Sequence, residues 1–139
     1  MINYNFETDF NLVNQKKITE WVTNTIHKEN YKLEEISYIF CDDNYLLDLN
    51  INYLDHDTLT DIISFDYSVG KIISGDIFIS IERVKENAEN FKVDFKNELH
   101  RVIIHGILHY CGYKDKTKDE KKEMRYKEDY YLKILNSLS

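Results

Sequence analysis

The sequence predicts an α+β domain in which a mixed sheet of about four strands is covered by helices. Three observations carry that expectation. Strand-like and helix-like apolar patterns alternate along the chain. With no proline among the 139 residues, the segments between them must turn on Gly, Asn, Asp and Ser. Hydrophobic residues make up 42% and charged residues 31%, a globular composition sufficient for one layered core. No repeat, low-complexity tract or Gly/Ser linker divides the chain, so residues 1–139 are expected to form one domain.

The elements follow in order. Residues Ile2 to Glu7 read as a first strand. Ile18, Trp21, Val22, Thr25 and Ile26 share one helical face, which predicts a helix over Asn14 to Glu29. Ile36 to Cys41 is a strand, and Asp42 caps a short helix running through Leu49. Ile62, Ile63 and Phe65 mark another strand. Lys71 to Ile79 carries Gly75 and Asp76 inside it, the mark of a strand that bends or lies close to another backbone. Ile81 to Tyr110 is helical with a break near Val93, and Gly112 is a natural stop. Thr117 and Glu120 form a capping box for a last helix, with Met124, Tyr131, Leu132 and Leu135 on its apolar face. Strand order is not readable from these patterns.

Charge narrows the function. A net charge of -7 argues against binding nucleic acid by bulk electrostatics. Between Leu33 and Gly70 there is no Lys or Arg, but there are nine acids. From Lys114 to Lys127 the balance reverses: Lys114, Lys116, Lys118, Lys121, Lys122, Arg125 and Lys127 face four acids. Both runs read first as solvated surface. No apolar run approaches the ~20 residues of a membrane span, and the N-terminus MINYNFETDF lacks the features of a signal peptide. Cys41 and Cys111 are too few for a disulfide framework and lack metal-knuckle spacing. A cytoplasmic protein is the expectation.

The stretch that carries chemistry is His105-Gly-Ile-Leu-His109-Tyr-Cys-Gly112-Tyr-Lys-Asp115. Residues four apart lie on one helical face, so His105 and His109 can present both imidazoles to one ion. Gly112 tolerates positive φ and lets the chain turn back beneath them. Asp115 follows the turn and can supply a third ligand. Three ligands with one open position is the arrangement of catalytic zinc, and one Zn²⁺ per chain is expected. The competing explanation is a capped helix end with two incidental histidines and a surface Asp. Zinc peptidases of the HExxH type place a general base after the first histidine. Here that residue is Gly106, which disfavours a peptidase and leaves the metal to activate the nucleophile.

At these residues the sequence resembles the YbeY family of endoribonucleases and ribosomal RNA maturation factors, whose signature reads HGxLHLxGYDH. His105-Gly106, Leu108-His109 and Gly112-Tyr113 match. Tyr110, Lys114 and Asp115 depart, the last replacing a third histidine with another competent ligand. Upstream, Leu49-Asn50, Tyr53, Thr60-Asp61 and Ser64-Phe65 look like the family segment LNxxYRxxDxPTDVLSF, and Gly75-Asp76-Ile77 looks like its GDI strand. Met124 matches a position in the closing helix. Leu54 stands where the family has an arginine; His56, two residues on, is a partial substitute or simply a loop histidine. The resemblance implies zinc-dependent cleavage of single-stranded RNA, maturation of the small-subunit ribosomal RNA 3′ end, ribosome quality control, and the ribosome or its proteins as partners. The alternative is a non-catalytic ribosome-assembly factor whose zinc holds the fold.

Other residues weigh less. Asp61 and Ser64 flank an apolar strand and are candidates to orient substrate or water, though such residues more often only end a strand. His100 lies about 140° around the helix from His105 and is not a fourth ligand. Arg101 shares the face of His105 and is free to meet an anion or an acid, with a surface salt bridge as the default. Cys111 points away from the histidines and reads as a small buried residue. Trp21 and the aromatic positions read as core, not as base-stacking platforms.

Overall fold

The computed structural model describes residues 1–55 and 58–138. Its elements are β1 (Ile2–Phe6), α1 (Gln15–Lys28), β2 (Lys32–Cys41), α2 (Asp43–Leu54), β3 (Ile62–Asp66), β4 (Ile72–Ser80), α3 (Ile81–Phe91), α4 (Phe95–Tyr110) and α5 (Lys118–Ser137). The four strands form one sheet in the order β1-β2-β4-β3. β1 and β4 run parallel to the central β2, while β3 pairs antiparallel along β4. The sheet is therefore mixed, as expected. His56 lies outside the described residues.

The two faces of the sheet are covered unequally. Ile36, Tyr38 and Phe40 of β2 and Ile73, Ile77 and Ile79 of β4 join the main core with α1, α3, α4 and α5. On the other face α2 sets Leu46 against Cys41 and Ile63 in a smaller cluster. β2 begins four residues before the expected Ile36 and α2 runs five beyond Leu49. Both extensions are mostly exposed mixtures of polar and apolar residues, and there the pairing of β2 with β4 and the packing of α2 across β3 and β4 decide the structure. The predicted break near Val93 is a left-handed Lys92 at φ 58°, which ends α3 before Asp94 leads into α4.

Two tyrosine hydroxyls fix α4 against the sheet. Tyr38 donates to the Ile103 carbonyl at 3.0 Å, and Tyr110 donates to the Phe65 carbonyl at 2.9 Å. α5 is tied to α1 where Trp21 donates its indole N–H to the Tyr131 carbonyl at 2.8 Å. Trp21 is buried, but Tyr53, Tyr67 and Tyr126 are well exposed, so the aromatic positions do not all belong to the core. Tyrosine can leave one ring edge and its hydroxyl in water, which residue spacing alone does not register. Among the described residues, no helix is long and apolar enough to cross a membrane.

Candidate metal centre

The C-terminal end of α4 is built to aim two imidazoles outward. Gly106 packs so tightly on β3 and β4 that an added Cβ would lie 3.1 Å from the δ-carbons of Ile62 and Ile77. His105 and His109, on the neighbouring face, are left at the rim with their rings nearly perpendicular, centroids 4.5 Å apart. The helix ends in a Schellman turn. Gly112 has φ 96°, its N–H reaches the His109 carbonyl, and the Tyr113 N–H returns to the Leu108 carbonyl, each at 3.0 Å. Thr117 opens α5 with the expected capping box, its N–H giving to Glu120 Oε1 at 2.9 Å and its Oγ1 accepting from the Glu120 N–H at 3.1 Å. The loop between is pinned at both ends, and Asp115 turns back to the histidines.

Three donor atoms converge. His105 Nε2 and His109 Nε2 are 3.0 Å apart, and Asp115 Oδ2 is 3.2 Å from the first and 3.3 Å from the second. The opposite ring nitrogens are both committed. His109 Nδ1 lies 2.9 Å from the Tyr113 carbonyl, which can only accept, so Nδ1 carries the hydrogen. His105 Nδ1 lies 2.6 Å from Glu128 Oε2, a carboxylate held by Arg101 at 2.9 Å. With Nδ1 carrying the hydrogen, the neutral form of each ring turns its Nε2 lone pair toward the other and toward the carboxylate oxygen. In that form the three atoms are all acceptors, and a cation between them satisfies all three at once. Tetrahedral zinc with bonds of ~2.0–2.1 Å sets its ligand atoms about 3.3–3.4 Å apart, close to the triangle present here. Nitrogen, nitrogen and carboxylate oxygen, each imidazole anchored through its other nitrogen, are a fitting donor set for a metal ion.

The group opens onto a cleft of about 250 Å³ that is also lined by Asp61, Glu98, Arg101, Arg125 and Glu128. Its electrostatics are those of an acid-rich pocket. Burial pushes the Asp61 carboxyl up against the pull of His105, and burial together with Asp61 pushes Glu98 up. Burial alone would depress the His105 imidazole, but the bond to Glu128 and the charges of Glu128, Asp115 and Asp61 raise it.

The match with known proteins is extensive. The family model described as endoribonuclease YbeY matches residues 3–136. The chain belongs to the endoribonuclease YbeY family. A protein of Flavobacterium psychrophilum named endoribonuclease YbeY is 58% identical over 136 residues, covering 98% of this chain and 97% of its own. A relative of the same name from Flavobacterium johnsoniae is 59% identical over 129 residues, covering 93% of each chain. The solution structure of a Thermotoga maritima protein is 27% identical, covering 97% of this chain and 89% of its own with a TM-score of 0.69.

For this YbeY member the structure places the sequence candidates unequally. Asp61 lines the cleft with His105 and Asp115; Ser64 does not, lying exposed on β3 over a shallow groove with Thr60 and Leu54. His100 is buried edge-on against Trp21, away from the group, and burial with Lys96 and Lys17 lowers its imidazole to about 4. Cys111 is buried, its thiol pushed up to about 12 by burial and by Glu29. Arg101 is no surface ion pair: its side chain is mostly covered and bonds Glu128 and Asp129. Sequence reasoning missed Glu128. Its signal was a carboxylate four residues from Met124 and four from Leu132, on the apolar stripe of α5.

Proposed function

We propose that this chain is a zinc-dependent, single-strand-specific endoribonuclease acting in the cytoplasm, in maturation of the small-subunit ribosomal RNA 3′ end and in ribosome quality control, with the ribosome or its proteins as partners. His105, His109 and Asp115 hold one Zn²⁺. The observation that carries the reading is the convergence of three potential ligand atoms at 3.0–3.3 Å beside an open cleft in a chain of the endoribonuclease YbeY family. When bound, zinc supplies Lewis-acid polarisation of a phosphoryl oxygen and makes water more acidic.

The chain's own groups do the rest. Glu128 and the Tyr113 carbonyl fix both rings by accepting from Nδ1, so neither imidazole can rotate out of the site. Asp61 is the carboxylate placed in the cleft to hold a proton or orient the attacking oxygen, since burial favours its protonated form. Gly106 faces the sheet, so the HExxH base position carries no acid here and could not present one to the cleft.

The test is zinc per chain and cleavage of a single-stranded oligoribonucleotide, with a duplex as control, in the wild type, His105→Ala and Asp115→Ala. The expected outcome is one zinc per wild-type chain, with cleavage falling more than about 100-fold in either variant while the circular dichroism spectrum is unchanged. Full cleavage by both variants would refute the site.

A further inference from the structure

The cleft is framed by two guanidinium groups in different states. Arg101 is 14% exposed and gives Nη1 to Glu128 at 2.9 Å and Nη2 to Asp129 at 2.7 Å. It steadies the carboxylate that holds His105. Arg125 opens onto the same cleft from α5 with its side chain 62% exposed. The carboxylates nearest to it are Glu128 at 3.9 Å and Asp129 at 4.0 Å, beyond hydrogen-bond length, and both already receive Arg101. Arg125 is thus the guanidinium at the cleft mouth with donors to spare.

The charge of the cleft shows why that matters. Its lining holds four carboxylates (Asp61, Glu98, Asp115 and Glu128) and two guanidiniums. A single divalent ion cancels the formal surplus of two negative charges but does not reverse it. Of the two guanidiniums in that lining, Arg125 is the one whose donors are left for an entering phosphodiester. The stretch from Leu33 to Gly70 offers no Lys or Arg, and Leu54 sits partly exposed at the end of α2.

We propose that Arg125 is the phosphate-binding residue of this cleft, gripping the non-bridging oxygens of a single RNA strand beside the metal group. The proposal rests on the RNA cleavage proposed above. A planar, permanently charged fork matches two phosphate oxygens at once. Leaving its loose place beside Glu128 costs little, because exposed pairs at such distances contribute little. Arg125 touches substrate and not the metal, so its loss weakens RNA binding and turnover and leaves zinc content intact.

The experiment compares the wild type with Arg125→Ala, Arg125→Lys and Lys133→Ala. Lys133 is exposed on the same helix outside the cleft and controls for the loss of one charge. Zinc per chain, circular dichroism, cleavage of a single-stranded oligoribonucleotide, and binding of its 2′-O-methyl analogue from about 50 to about 200 mM salt are measured. In Arg125→Ala, kcat/KM falls about 10–100-fold and the log–log salt slope of binding shrinks by about 0.7, the release expected of one phosphate contact. Arg125→Lys recovers part of both, Lys133→Ala stays within about twofold, and zinc is unchanged throughout. Arg125→Ala indistinguishable from Lys133→Ala, or depleted of zinc, overturns the proposal. A zinc-loaded wild type that cleaves no RNA overturns the functional reading instead, and the salt slope then decides Arg125 by itself.

Discussion

Glu128 shows how one buried carboxylate can govern a site assembled elsewhere in the chain. It lies 23 residues from His105, receives Arg101 on Oε1, and accepts the imidazole Nδ1 on Oε2. Replacing it with glutamine keeps the shape and removes the charge that holds His105 in one tautomer. Glu128→Gln is expected to weaken zinc binding about 10–100-fold, read by competition with a chromophoric chelator, while Asp129 still anchors Arg101. An unaltered zinc affinity would show that Glu128 serves only packing. The residues now found converging were legible because His105, His109, Gly112 and Asp115 lie within one helix end and its turn, where spacing translates directly into direction. Glu128, Arg101 and Arg125 were not assignable, because their roles depend on how α5 lies across α4.

Elements, by contrast, were readable to the extent that each carries its own signal. Asp42 accepts from the Tyr45 N–H as a helix cap, and Thr117 forms its box; both signals are local. The order β1-β2-β4-β3 has no local signal, since the edge position of β3 is set by the packing of whole segments. Gly75 lies between these cases. The sequence marked it as a bend or a close approach, and the structure shows the latter: an added Cβ would run into the Tyr110 hydroxyl and lie 2.5 Å from the Phe65 carbonyl oxygen. Tyr110 bonds the Phe65 and Asp76 carbonyls, so this contact joins the end of α4 to β3 and β4 just behind the histidines. Gly75→Ala must push α4 away or distort β3. It is expected to lower stability by about 1–3 kcal/mol in urea denaturation. It should also lower zinc affinity, since the displaced end of α4 carries His109. A variant as stable as the wild type would mean that α4 shifts freely on the sheet.

At the scale of the molecule, the question is whether the fold depends on its ion. The α+β class was legible from alternating apolar patterns, and the core that realises it is built from β2, β4 and α4 residues such as Tyr38, Phe40, Ile77, Ile103 and Ile107, all fully buried. The metal group lies outside that core: the side chains of His105, His109 and Asp115 are 20%, 31% and 39% exposed. Zinc that holds a small fold together replaces a core, whereas here the core is complete without it. Chelator-treated protein is therefore expected to keep its circular dichroism and a cooperative transition while losing RNA cleavage. Zinc at about 100 times its Kd should then add about 2.7 kcal/mol and raise Tm by about 10 °C, restoring activity with the same concentration dependence. Competing thiolate sites do not confuse the titration, because Cys41 and Cys111 are both buried and both pushed up to about 12, in each case chiefly by burial. If the stripped protein loses its cooperative transition, zinc is holding the fold and the assembly-factor reading takes precedence. If it stays folded and inactive until zinc returns, the ion belongs to the chemistry.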